Sequence, residues 1–244
     1  MLVLVTATFL LAGFVKGVIG MGLPTVAVGV LGLVMAPAEA AALMVIPSLS
    51  TNAWQALLGP FLAGLVRRFG SMLLGICAGA WLVGWVAPPV DANVATAALG
   101  AVLAAYVLVG RYGPAFEIPP ASQRWLSPCV GLATGALTAV TGVFVMPAVP
   151  YLQRLALGRD ELVQALGLTF LVATAALGLS LPATMARIMS SSGHLPLAAL
   201  MAALAGMWLG QLVRRWISPR VFRACFFWGL LALGIHLTVR GLWH

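Results

Sequence analysis

Acidic side chains are nearly absent from this chain. Five Asp and Glu stand among 244 residues, against thirteen Lys and Arg, so only 7% is charged. A soluble domain carries roughly 25% charged residues, and so few cannot make a water-facing surface. Cysteine is also scarce. Cys77, Cys129 and Cys225 stand alone, with no C-x-x-C pair, and read as small apolar fillers in helices. No H-x-x-x-H, paired carboxylates or Ser/His/Asp set occurs, so no catalytic residue, metal site or cofactor is expected. His194 reads as a loop residue, with His236 near a helix end and His244 terminal.

What fills the chain is apolar: 62% hydrophobic residues and a mean hydropathy of +1.09. The class is an all-α polytopic membrane protein in contact with lipid. The N-terminus lacks a basic n-region and a clear cleavage site, so residues 2–19 are expected to be membrane structure. The net charge of +8 fits basic loops beside membrane segments better than nucleic-acid binding. Trp81, Trp85, Trp125, Trp216 and Trp243 near segment ends read as interfacial anchors.

A helical crossing takes about 20 residues. Segments 38–58, 69–87, 92–109, 161–182, 195–213 and 220–240 are long enough. Segments 23–34, 126–140 and 142–152 are too short, so 2–34 and 126–152 are expected to be re-entrant hairpins. Arginine placement supports this. With each hairpin returning to its own side, Arg67, Arg68, Arg111, Arg124, Arg154, Arg159, Arg214, Arg215, Arg220 and Arg223 share one face, and Arg187 and Arg240 take the other. With each pair as one kinked crossing, the same twelve split six and six. The positive-inside rule selects the first arrangement. It places both termini outside the cytoplasm, and so many apolar segments fit a bacterial inner membrane, with the termini in the periplasm. The expected architecture is two inverted repeats of about eight segments. Residues 1–110 hold one hairpin and three helices, 111–120 a cytoplasmic linker, and 121–244 a second hairpin and three helices.

Glycine punctuates both hairpins. Gly13, Gly17, Gly20 and Gly22 mark the first, and Gly131, Gly135 and Gly142 the second. Gly13 and Gly17 align with Gly131 and Gly135 at an offset of 118, and Ala36–Glu39 with Gly158–Glu161 at 122. Broken helices at matching places in two halves point to a transporter binding site. Helices starting near 23 and 142 inside the membrane would offer free N–H groups to an anion. Gly20, Gly22 and Gly142 would permit the turns, or serve close helix packing. Lys16 is the basic residue inside a predicted membrane segment, so it is either a substrate counter-charge or a snorkelling lysine. Asn52 and Gln55, one helical face of a polar run with Ser48, Ser50 and Thr51, are candidate ligands or interhelical glue. Thr138 and Thr141 flank the second break. Thr174 aligns with Asn52 at the 122 offset, and Gln164, near a helix start, reads as a peripheral or capping residue.

Lys16-Gly17 with Gly20-x-Gly22, Asn52-x-x-Gln55, Thr141-Gly-Val-Phe-Val-Met-Pro147 and Arg159-Asp-Glu-Leu-Val-Gln164 carry a resemblance. At these residues the chain resembles the sulfite exporter TauE/SafE family, also called the toluene sulfonate uptake permease family. A departure is Leu23-Pro24, where the family has a further glycine. The resemblance implies transport, usually outward, of sulfite, organosulfonates or related small anions. The anion is expected between the two hairpin tips, with alternating access by rocking of the repeats. An anion channel of the same fold is the alternative. The expected partners are the anion and the bilayer, with a homodimer left open.

Overall fold

The computed structural model describes all residues except 87–89, 114–116, 192–193, 215, 217–218 and 244. Among the described residues the chain is helical throughout, with no strand. The helices are α1 (Leu2–Ile19), α2 (Leu23–Leu31), α3 (Pro37–Leu57), α4 (Leu62–Trp81), α5 (Ala92–Tyr112), α6 (Pro120–Thr141), α7 (Ala148–Gln153), α8 (Arg159–Ser180), α9 (Pro182–Ser191), α10 (His194–Val213) and α11 (Pro219–Trp243). A π-helical turn, Leu82–Val86, continues α4.

Among the described residues six helices are long and apolar enough to cross a membrane: α1, α4 with its extension to Gly84, α5, α8, α10, and α11 from Ala224. α1 belongs to this set, and at 1.5 Å per residue its 18 residues reach about 27 Å, nearly the hydrocarbon thickness. α3 does not belong, although it has 21 residues. Its polar run lowers its hydropathy, and most of it is buried among other helices. Several bounds depart from the sequence reading. α4 starts at Leu62 instead of 69, and α6 at Pro120 instead of 126. The return helix of the second hairpin starts at Ala148, not 142. α9 was not anticipated, and His194 opens α10 instead of lying in a loop. The three cysteines lie in helices, on exposed faces.

Both breaks end on left-handed glycines, a conformation other residues resist. Gly20 (φ 81°) closes α1 with its N–H on the Lys16 carbonyl, and Gly142 (φ 72°) closes α6 on Thr138. The α6–α7 segment closes on itself at its far end. Ile118, before α6, donates its N–H to the carbonyl of Arg154, after α7.

Four helix pairs make the frame: α1 with α10, α4 with α6, α5 with α11 and α3 with α8. Glycine sets how closely they approach. A Cβ at Gly13 or Gly17 would lie 2.2 or 2.3 Å from the carbonyl oxygens of Ala203 or Met207. From the other side, Gly206 and Gly210 meet the carbonyls of Leu10 and Phe14 equally closely. The α4–α6 pair repeats this, with Gly75 and Gly79 on Pro128 and Leu132, and Gly131 and Gly135 on Met72 and Ile76. These are interlocked small-xxx-small seams. Gly13, Gly17, Gly131 and Gly135 are therefore packing residues, and the breaks belong to Gly20, Gly22 and Gly142 alone.

Polar contacts close both ends of the bundle. At one end Arg68 approaches Glu161 (4.0 Å) and bonds Gln123, which reaches the Ile118 carbonyl beside Arg154. At the other, Arg187 pairs with Glu39 (3.4 Å) and Arg240 donates to the Leu33 carbonyl.

Candidate functional site

The first break brings the end of α1 against the second half of α3. Lys16, 3% exposed, donates from Nζ to Thr51 Oγ1 at 3.0 Å and to Asn52 Oδ1. The local helix prepares both acceptors. Thr51 gives its own proton to the carbonyl of Pro47 at 2.9 Å, which turns a hydroxyl lone pair toward the lysine. Asn52 Nδ2 donates to Ser48 Oγ (3.0 Å) and to Thr174 Oγ1 (3.3 Å) on α8, which leaves its carbonyl oxygen for Lys16. Thr174 in turn donates to the Phe170 carbonyl at 2.6 Å. Ser48, Thr51, Asn52 and Thr174 are all buried. The chain of hydrogen bonds therefore runs from α1 through α3 to α8 in one direction and presents oxygen to the ammonium.

None of those oxygens carries a charge. Among the described residues no carboxylate pairs with Lys16; the ion pairs are Arg68–Glu161 and Arg187–Glu39. An ammonium has three donors, and two are occupied here. A buried ammonium with a free donor and no counter-ion among the described residues is stabilised by a ligand of opposite sign.

A cavity of about 210 Å³ adjoins it, lined by Lys16, Gly17, Gly20, Thr51, Trp54, Gln55, Gln211 and Arg214 among others. At about 30 Å³ per water, that volume holds about seven waters, or a small anion with part of its hydration. Gln55 forms one wall. Its amide nitrogen donates to the carbonyl of Gly20 (3.2 Å) and to that of Val163 (2.7 Å), tying the break to the start of α8. Gln164 is neither peripheral nor a cap of its own helix; it is buried and serves the end of α3. It donates to the carbonyls of Ala56 and Gly59 and accepts from the N–H of Phe61, which closes the end of α3.

Of the residues singled out in the sequence, Lys16, Gly20, Asn52 and Gln55 come together here. The others do not. Gly22 lies against Val15 and the Phe226 ring, away from the cavity lining. Thr138 and Thr141 donate to Thr134 and Leu137 within their own helix. Gly142 lies against Ala41 near the start of α3, whereas Gly20 lies near Gln55 toward its end. At 1.5 Å per residue those positions on α3 are about 20 Å apart. The two tips therefore do not converge on one point, as the sequence reading expected. α7 is also a short helix of 6 residues set beyond the break, so the second tip is not the start of a helix aimed at the first.

Arg214, Gln211 and Trp54 were not singled out as site residues. Arg214 was counted only for topology. The spacing of Met207, Gln211 and Arg214 continues the α10 face that carries Gly206 and Gly210 toward α1, and that stripe was the available signal.

The family model described as sulfite exporter TauE/SafE matches residues 5–237 of the chain. No curated protein and no solved structure matches it.

Proposed function

The chain belongs to the sulfite exporter TauE/SafE family, and we propose on that basis that it carries small sulfur-containing anions, sulfite or organosulfonates, across a bacterial inner membrane by alternating access. The observation that carries this reading is Lys16: a buried ammonium bonded only to neutral oxygens, at the wall of a cavity that also holds Arg214. Such a site prefers an anion and repels a cation. A unit charge paired at about 4 Å is worth about 4 kcal/mol at the effective dielectric near a protein surface, which offsets part of the cost of burying the lysine.

The inverted-repeat reading draws support from the packing. Exchanging α1 with α6, α4 with α10, α3 with α8 and α5 with α11 turns the α1–α10 pair into α6–α4 and leaves α3–α8 and α5–α11 unchanged. A two-fold axis in the membrane plane has that effect. Asn52 and Thr174, aligned at the 122 offset, bond each other directly, as residues beside such an axis do. The arginine-rich end then faces the cytoplasm, and both termini the periplasm. The substrate site lies between the two breaks, along the Lys16–Asn52–Thr174 chain.

The inside-negative potential gives the direction. About 2.3 kcal/mol per charge per 100 mV favours outward movement of a monoanion by about fifty-fold. Purified protein in liposomes, given labelled sulfite and a set of alkanesulfonates, tests the proposal. The expected result is saturable flux in which the anions compete and chloride competes poorly. Flux that rises linearly with concentration indicates a channel, and no flux of any of these anions removes the proposal.

A further inference from the structure

The exchange of the two halves extends to single contacts. Gly20 lies against Val163, and Gly142 against Ala41; the 122 offset converts one contact into the other. The offset that takes Gly75 and Gly79 of α4 to Gly206 and Gly210 of α10 likewise exchanges the two glycine seams.

Applied to cavities, the same exchange pairs two of them. The cavity beside Lys16 includes Leu58 and Arg214. A second, of about 360 Å³, includes Ser180 and Val83 and borders the last turn of α6 through Ala139 and Val140. The offset of 122 takes Leu58 to Ser180. The α4-to-α10 offset takes Val83 to Arg214. Both cavities abut the helical turn before a left-handed glycine, one at Gly20 and one at Gly142. In that turn the glycine N–H is held by the carbonyl of Lys16 in the first half and of Thr138 in the second, so Thr138 holds, counted from its own break, the place that Lys16 holds, although the glycine seams set α1 on α6 one turn differently. The shape is repeated and the charge is not. Lys16 and Arg214 line one cavity, while at the other Val83 holds the place of Arg214, Thr138 is buried in its own helix outside the lining, and the described lining contains no charged residue.

We propose that these are two vestibules of one pathway, made unlike on purpose: a cationic loading vestibule at the arginine-rich end and an uncharged release vestibule at the opposite end, with Arg214 the residue that sets the difference. This rests on the anion-transport reading and adds a sidedness to it. Lys16 serves the anion from both sides, because it sits at the central polar chain. Arg214 serves it from one side only. The half-saturation concentration is therefore lower from the arginine-rich face. Detailed balance leaves the equilibrium distribution untouched, so the maximal rate from that face is lower by the same factor.

Sulfite and methanesulfonate flux measured in right-side-out and inside-out vesicles at zero membrane potential tests this. The expected KM from the arginine-rich face is tenfold or more below that from the other. R214V raises KM at the arginine-rich face and leaves the opposite KM within twofold. R214K keeps the wild-type sidedness, and V83K lowers KM at the opposite face. Equal KM from both faces, or an equal change at both faces in R214V, overturns the proposal while transport itself stands. V83K provides a separate reading should R214V fail to fold, and an unchanged opposite-face KM in that variant also counts against it. Absence of anion flux in the wild-type vesicles removes both this sidedness and the transport reading.

Discussion

Lys16 is held by Thr51 and Asn52, and each of those is oriented by a further bond, to Pro47 and to Ser48 and Thr174. The charge is positioned by neutral groups and left uncompensated. N52D changes one atom type and inserts a carboxylate at the oxygen that Lys16 already contacts. The internal ion pair then takes the place of the anion. Affinity for sulfite, followed by flux or by calorimetry, falls tenfold or more, while thermal stability holds or rises. Unchanged affinity in N52D means that the ammonium is not the anion's partner. Q55L makes the complementary test of the wall. It strips the bonds to the Gly20 and Val163 carbonyls, and leaving buried carbonyls unpaired costs about 1–3 kcal/mol. A drop in melting temperature is expected, together with a raised KM, because the first break loses its tie to α8. Residue type made this cluster legible in the sequence: a lysine and a polar run inside apolar segments have few bland explanations. Arg214 was not legible, because an arginine at a helix end satisfies the positive-inside rule whether or not it also faces a cavity.

The frame is carried by helix pairs, and their closeness by glycine. At Gly206 a Cβ would lie 2.1 Å from the Leu10 carbonyl oxygen, so a larger residue must separate α10 from α1. Overpacking of this kind costs about 1–3 kcal/mol or more. G206L is expected to lower the melting temperature in detergent and to reduce folded yield. G70A on α4 is the contrast. Its added Cβ meets nothing within 4 Å, and exchanging glycine for alanine in a helix gains about 1 kcal/mol. G70A should melt at or above the wild-type temperature, and equal losses in the two variants contradict the seam. The glycine seams and the glycine breaks look alike in a sequence, which is why Gly13, Gly17, Gly131 and Gly135 were grouped with the turns. Only φ separates them, and φ follows from where the chain must reverse. Val143–Val145 show a similar limit. They are apolar and buried, and nothing in their pattern distinguishes an irregular crossing from the first turn of a helix, so α7 was drawn too long. α9, amphipathic and joined to α8 at Pro182, was hidden because a short polar helix resembles a loop.

Across the whole molecule, the helical class and most of the long apolar helices followed from hydropathy. Depth did not follow. Hydropathy states that a segment is in the membrane and not how far along a neighbour it reaches, so the two breaks were expected to meet. They lie instead at opposite parts of α3, beside Gln55 and Ala41, with the polar chain from Lys16 to Thr174 between them. That spacing suits a pathway in which each break borders one vestibule and the ammonium serves both. A carrier of this kind moves net charge, so its flux responds to voltage. The most direct measurement is sulfite flux in proteoliposomes under an imposed potential, for the wild type and for K16M in parallel. The account predicts net movement toward the positive side in the wild type, reversal when the potential is reversed, and at least a tenfold loss of flux in K16M with the protein still folded. Wild-type flux from a folded K16M protein, or wild-type flux indifferent to the sign of the potential, would contradict it.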